Sequence, residues 1–225
     1  MRYLRALAFA VLAGASAAAP AYDPLRGSDP QLALGVGHVR PANEKDRDEW
    51  LFRLRLDVAD APGGRTRRVA GLSLEPAALE TGYETTSLIV REARADGWLR
   101  LHLGKEGTGW VRKEALAGTV PPLAYEPWEK LFASGEISPL YFRVRVQNAL
   151  RGRPLDAAAA LVWIPADPNT YAMVPLEFVG DWARVRYTAP SDYCAEPKPK
   201  PKPRDGWIRW RDAAGPIVWY YTRGC

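Results

Sequence analysis

The chain has 225 residues, with 31 lysine and arginine side chains against 26 aspartates and glutamates, two histidines and two cysteines. It is 47% hydrophobic and 11% aromatic, with nine tryptophans, which excludes a disordered chain and supplies enough large apolar area for small packed cores. Neither His38 nor His102 has a second His, Cys or carboxylate at metal-ligand spacing, and there is no phosphate loop or nucleophile elbow, so no metal, cofactor or catalytic residue is expected.

In chain order, Arg2 and Arg5 precede an apolar run over 6–13. The small residues of 14–21 follow, with Ala-x-Ala triplets at Ala17-Ala18-Ala19 and Ala19-Pro20-Ala21. This predicts a secretory signal peptide over 1–21. Its apolar core is too short to span a bilayer, and no cysteine near the cleavage region could carry a lipid. The expectation is a periplasmic or secreted chain starting near Tyr22, without membrane insertion after cleavage. Loss of 1–21 lowers the net charge from +5 to +3, with 29 basic side chains against 26 acidic. The arginines alternate with apolar residues, as on the wet face of half-buried sheets, so no nucleic-acid partner is expected.

Residues 22–49, with Pro24, Pro30, Pro41 and the charged stretch 44–49, show no sustained period and read as an N-terminal arm. A first module is expected over 50–120, with strands at 51–58, 66–74, 85–90, 98–103 and 110–113 and a helical turn at Glu75-Pro76-Ala77-Ala78-Leu79. A linker over 121–138 carries Trp128-Glu129-Lys130-Leu131-Phe132. This is a short amphipathic helix with Gly135 as its stop, and Trp128 and Phe132 on one face would pack on a module. A second module follows over 139–225, with strands near 140–146, 157–163 and 171–178 and a long hairpin.

The two modules share a pattern. Asp96-Gly97-Trp98-Leu99-Arg100-Leu101 leads to Gly109-Trp110-Val111-Arg112, and Gly180-Asp181-Trp182-Ala183-Arg184-Val185 leads to Gly206-Trp207-Ile208-Arg209. Each reads as a β-hairpin. Upstream, Leu51-Phe52-Arg53-Leu54-Arg55-Leu56 matches Leu140-Tyr141-Phe142-Arg143-Val144-Arg145-Val146, so the duplication spans most of each half. By repeat position Trp98, Trp110, Trp182 and Trp207 are the core candidates.

On these hairpin residues each half resembles the bacterial Src-homology-3-like domain, common in exported and cell-envelope proteins. The resemblance implies an all-β chain of two tandem small Src-homology-3-like β-barrels joined by a short helical linker. The family's frequent association with wall binding implies cell-wall peptidoglycan or an envelope protein as partner. The leading expectation is a non-catalytic exported binding protein that recognises a peptide, wall or envelope-protein ligand. A second reading is a protective or inhibitory protein that blocks a wall-degrading enzyme or toxin. A third is a hydrolase whose carboxylates, among Glu75, Glu80, Glu84 and Glu92, converge in space.

Ligand candidates come from the second module. Trp210 lies three residues beyond Trp207, on the opposite face of a strand, and Trp219-Tyr220-Tyr221 puts aromatics on both faces of its own. These rings either pack between modules or line a shallow groove, with Trp210, Trp219 and Tyr221 as the contacts. In the long hairpin, Pro197-Lys198-Pro199-Lys200-Pro201-Lys202-Pro203 should project as polyproline II, either as a spacer or as a contact through Lys198, Lys200 and Lys202. Cys194 and Cys225 are the only cysteines, and in an oxidising compartment they should pair and clamp the C-terminal tail. Thiol titration of the mature exported protein is expected to find no free sulfhydryl, with Cys225→Ser costing about 2–4 kcal/mol of stability. Two reactive thiols would refute the bridge.

Overall fold

The computed structural model describes residues 32–135, 137, 139–144, 147–193 and 200–222. It is mostly β and antiparallel. The first lobe contains β1 (Gly37–Pro41), helix α1 (Trp50–Arg53), β2 (Arg55–Ala59), β3 (Thr66–Ala70), β4 (Ala78–Gly82), β5 (Thr85–Ala93), β6 (Trp98–His102), β7 (Thr108–Arg112) and β8 (Leu123–Pro127). Helix α2 (Trp128–Ala133) leads into the second lobe. There follow β9 (Leu140–Phe142), β10 (Asn148–Arg151), β11 (Ala160–Ile164), β12 (Ala172–Val179), β13 (Trp182–Thr188), β14 (Arg204–Arg209), the short pair β15 (Arg211–Asp212) and β16 (Gly215–Pro216), and β17 (Val218–Tyr220).

One sheet runs β3-β2-β7-β6-β5-β1-β8, with β4 also on β5, and the other runs β11-β10-β14-β13-β12-β9-β17. Taken position by position, the two orders are the same. The duplication therefore covers seven strands per lobe, including β1 and β8, which sequence reading had placed in the arm and the linker. Strand β1 is integral to the first sheet rather than part of an arm, because it lies between β5 and β8 and pairs with both. The upstream register also differs. Leu51-Phe52-Arg53 belongs to α1, and Leu140–Phe142 is the counterpart of β1, whereas β2 corresponds to β10. Alternating Leu, Phe and Arg is a generic signature of any half-buried strand, so the pattern alone cannot choose between neighbouring strands. Likewise the expected strand 66–74 ends at Ala70, where a 3₁₀ segment, Gly71–Ala77, carries the chain to β4.

The hairpin motif builds the same cross-strand pairs twice. Trp98 lies opposite Arg112 as Trp182 lies opposite Arg209, and Arg100 opposite Trp110 as Arg184 opposite Trp207. Between them Leu99 faces Val111, and Ala183 faces Ile208. The aliphatic pairs are buried, and all four tryptophans are only half-buried, on the outer face. This corrects their placement as core residues. Alternation fixes that Trp and Leu face opposite ways, but not which face is inside. Each curled sheet leaves little room over the inner face. A Cβ at Gly109 would lie 2.8 Å from Val58, and one at Gly206 would lie 2.6 Å from Leu150. The larger rings stay outside, where guanidinium groups cover them: Arg112 sits 4.6 Å over Trp98, Arg100 5.6 Å over Trp110, and Arg209 5.4 Å over Trp182.

The core of the first lobe is aliphatic around Trp50, with Leu54, Leu56, Val58, Leu88, Val90 and Leu101. The core of the second lobe is not confined to that lobe. It takes in Trp128 and Phe132 of α2 and reaches Leu34, Leu79 and Ile89 of the first. Strand β5 is thus buried on both faces, with Leu88 and Val90 inside the first lobe and Ser87 and Ile89 at the junction. Hydrogen bonds cross the same seam, from Gly35 N–H to the Ala214 carbonyl (2.8 Å) and from the Tyr220 hydroxyl to the Thr81 carbonyl (2.9 Å). Among the described residues no helix is long and apolar enough to cross a membrane.

Calorimetry of the full chain is expected to show one cooperative transition. Phe132→Ala, at the shared cluster, should cost about 3–5 kcal/mol. Trp182→Ala, a half-exposed ring beneath an arginine, should cost only about 1 kcal/mol. Two separable transitions, or the opposite ranking, would show that the lobes fold independently.

Candidate functional site

Two arrangements stand out, and both lie where the lobes meet. The first is a buried polar row. β1 delivers His38, β5 Ser87, β4 Thr81 and β8 Glu126 to one spot, because His38 pairs with Ile89 across one edge of β1 and with Glu126 across the other. The Thr81 and Ser87 hydroxyls lie 2.6 Å apart, Ser87 Oγ is 3.1 Å from His38 Nδ1, and His38 Nε2 is 3.3 Å from Glu126 Oε2. That last contact is close in distance but off-line, since Nε2 makes no well-formed hydrogen bond. Glu126 also holds Arg40 at 2.7 Å and Lys130 at 3.5 Å. The imidazole stacks on Trp128 with centroids 4.7 Å apart.

Serine, histidine and carboxylate in line invite comparison with a nucleophilic triad, but the surroundings do not support one. Ser87 and His38 have no solvent exposure, and Ser87 Oγ is engaged by Thr81, so a substrate has no approach to it. Burial lowers the His38 pKa below its ordinary 6.5, although the Glu126 carboxylate pulls the other way. Glu126 is held down to about 2, chiefly by the His38 imidazole and then by the charge of Arg40. At neutral pH the row is therefore a neutral imidazole beside a carboxylate paired with arginine.

The second arrangement is an open cleft of about 330 Å³ that meets this row at Thr81. The first lobe lines it with Arg40, Arg47, Thr81, Gly82 and Tyr83, followed by Leu131 of α2 and Ile137. The second lobe contributes Tyr193, Tyr220, Tyr221 and Thr222. Tyr83 and Glu84 form the two-residue turn between β4 and β5, with Glu84 in the left-handed region (φ 54°), and this projects Tyr83 outward, 66% exposed. Across the cleft Tyr193 stacks on Tyr221 at 5.1 Å. The two arginines differ. Arg40 is committed to Glu126, whereas Arg47 has only a 4.0 Å approach to the exposed Glu44, and its Nε is shielded from solvent without a hydrogen-bond partner.

A further groove of about 360 Å³ on the first lobe is also lined by arginines, but theirs are committed. Arg68 grips Asp57 with both nitrogens, and Arg53 and Arg55 reach backbone carbonyls. Among the described residues no three His, Cys, Asp or Glu side chains converge as metal ligands. Of the carboxylates considered for hydrolysis, Glu92 is tied to Arg100 at 3.3 Å, and Glu75 and Glu84 are exposed.

The sequence-derived candidates separate. Trp210 and Trp219 are buried and meet Phe132 edge-on at 5.7 and 5.9 Å, so of the two alternatives held open for them they take interlobe packing and offer no ring face to a ligand. Tyr221 does line the cleft. Lys200 and Lys202 are exposed outside regular structure, just before β14, whereas Lys198, Cys194 and Cys225 lie outside the described residues. Sequence reading missed His38, Arg47, Thr81, Tyr83, Ser87 and Glu126. Their only local signal was the Tyr83-Glu84 turn, and the long-range pairings that unite them leave no periodic trace. Compared with protein-family models, curated proteins and solved structures, the chain matches none.

Both pKa shifts at the buried row make folding sensitive to acid. The unfolded chain takes up a proton on His38 as pH falls through 6.5 and on Glu126 as it falls through 4.5, while the folded chain resists both. Stability is therefore expected to be full above about pH 6.5, to decline below it, and to fall further between about 4.5 and 2. Denaturation midpoints measured across this range should show that His38→Gln removes the upper part of the slope and makes the lower part shallower, because the imidazole is the chief group holding Glu126 down. An unchanged slope near pH 6 would place the titration elsewhere.

Proposed function

We propose that the chain is a non-catalytic exported binding protein, a tandem pair of Src-homology-3-like modules. Its ligand is an extended peptide, carried by the cell wall or by an envelope protein, held in the cleft between the lobes. The observation that carries this reading is the convergence of Tyr83 from one lobe with Tyr193 and Tyr221 from the other on a single open cavity. Stacked aromatics with polar tips are the usual lining for extended peptide backbones, and a site shared by two lobes has its shape set by their fixed juxtaposition. The shared seven-strand order and the paired Gly-Trp hairpins support the tandem-module reading.

The test is co-sedimentation with purified sacculi, run beside a pull-down from periplasmic extract. Tyr83→Ala is expected to weaken attachment by about tenfold or more while leaving the melting temperature nearly unchanged, since the ring is exposed. Undiminished binding by this variant, together with loss on replacing Trp163, which is 59% exposed on β11, would move the ligand surface to the outer face of the second sheet.

A further inference from the structure

The cleft is specific in charge as well as shape. Among the described residues that line it there is no carboxylate, and there are two guanidinium groups. One is already neutralised, because Arg40 is 2.7 Å from Glu126. Arg47 is not. Among the described residues its one ion-pair approach is from a terminal nitrogen to Glu44, at 4.0 Å and with a side chain 90% exposed, while its own side chain keeps 22% of its surface open. So distant a pairing with an exposed acid leaves the charge of the guanidinium available to a ligand. Several other arginines are held close to an acid, as Arg68 is by Asp57, Arg186 by Asp205, and Arg94 by Asp96.

We infer that Arg47 is the anchor for a carboxylate on the ligand. This rests on the reading of the cleft as the binding site and names the group recognised there. The guanidinium fork presents parallel N–H donors that match the two oxygens of a carboxylate, and its single uncompensated charge balances one such group. A phosphate dianion would leave charge uncompensated. Tyr83, Tyr193 and Tyr221 then flank the peptide that bears the carboxylate, and the half-buried Glu126 keeps Arg40 from competing for it. The carboxylate belongs either to a wall peptide or to the chain end of an envelope protein, and the chemistry of capture is the same.

The experiment uses the full mature chain with two kinds of probe, each in two forms. These are purified sacculi, native or with their carboxylates amidated, and immobilised random decapeptides with free or amidated C-termini. Binding is expected to the carboxylate form of at least one probe, and whichever it is identifies the source. Amidation of that probe and Arg47→Gln should each weaken binding by about tenfold or more, with no further loss when combined, because both remove one interaction. Arg47→Lys, which keeps the charge but not the fork, should fall between. Attachment of the wild-type chain should weaken with added salt. The melting temperature of Arg47→Gln separates loss of the contact from loss of the fold, and Arg47→Lys serves as the folded control if the Gln variant melts early. Equal binding to native and amidated probes, with Tyr83→Ala still impaired, overturns the carboxylate anchor and leaves the cleft reading intact. Failure of the wild-type chain to bind either carboxylate-bearing probe overturns both.

Discussion

The indole of Trp128 holds the molecule together. It begins α2, stacks on His38 of the first lobe, meets Trp219 of the second edge-on at 5.3 Å, and donates its Nε1 hydrogen to the Leu34 carbonyl at 2.9 Å. One turn further, Phe132 meets Trp210, Trp219 and Tyr220 in edge-to-face contacts. Edge-to-face pairing is directional, so this cluster fixes an angle between the lobes as well as holding them close. The two small sheets share this junction, and the position of every cleft residue follows from it.

The duplication makes the asymmetry informative. Seven strands per lobe follow one order, and the hairpins repeat pair for pair, even to the inner glycines beneath Val58 and Leu150. What the lobes do not share lies at the seam. His38, Ser87 and Glu126 belong to the first lobe alone, and the aromatic run Trp219-Tyr220-Tyr221 to the second. A buried histidine facing a carboxylate adds little stability over an apolar substitute. It is instead directional and tied to β1, β5 and β8 together, so it admits one arrangement of these strands at the point where the second lobe docks.

Charge follows the same division. On the outer faces several arginines are matched to acids or laid over tryptophan rings. In the cleft, Arg47 has only its 4.0 Å approach to the exposed Glu44.

The amino-acid order alone determined the antiparallel β character, the two hairpins, the short helix with Trp128 and Phe132 on one face, and the separation of Trp from Leu on opposite sides of each strand. These are local properties, set by a period of two or of 3.6 residues and by turn chemistry, and they can be read within a window of about a dozen positions. Only the tertiary structure decided which face is inward, that β1 is integral to the first sheet, that Trp210 and Trp219 are spent on packing, and that His38, Ser87 and Glu126, separated by 49 and 39 positions, adjoin. Those facts depend on sheet curvature and on the docking of one lobe against the other. The free energy of these long-range contacts is spread over many residues, and no single stretch of sequence records it.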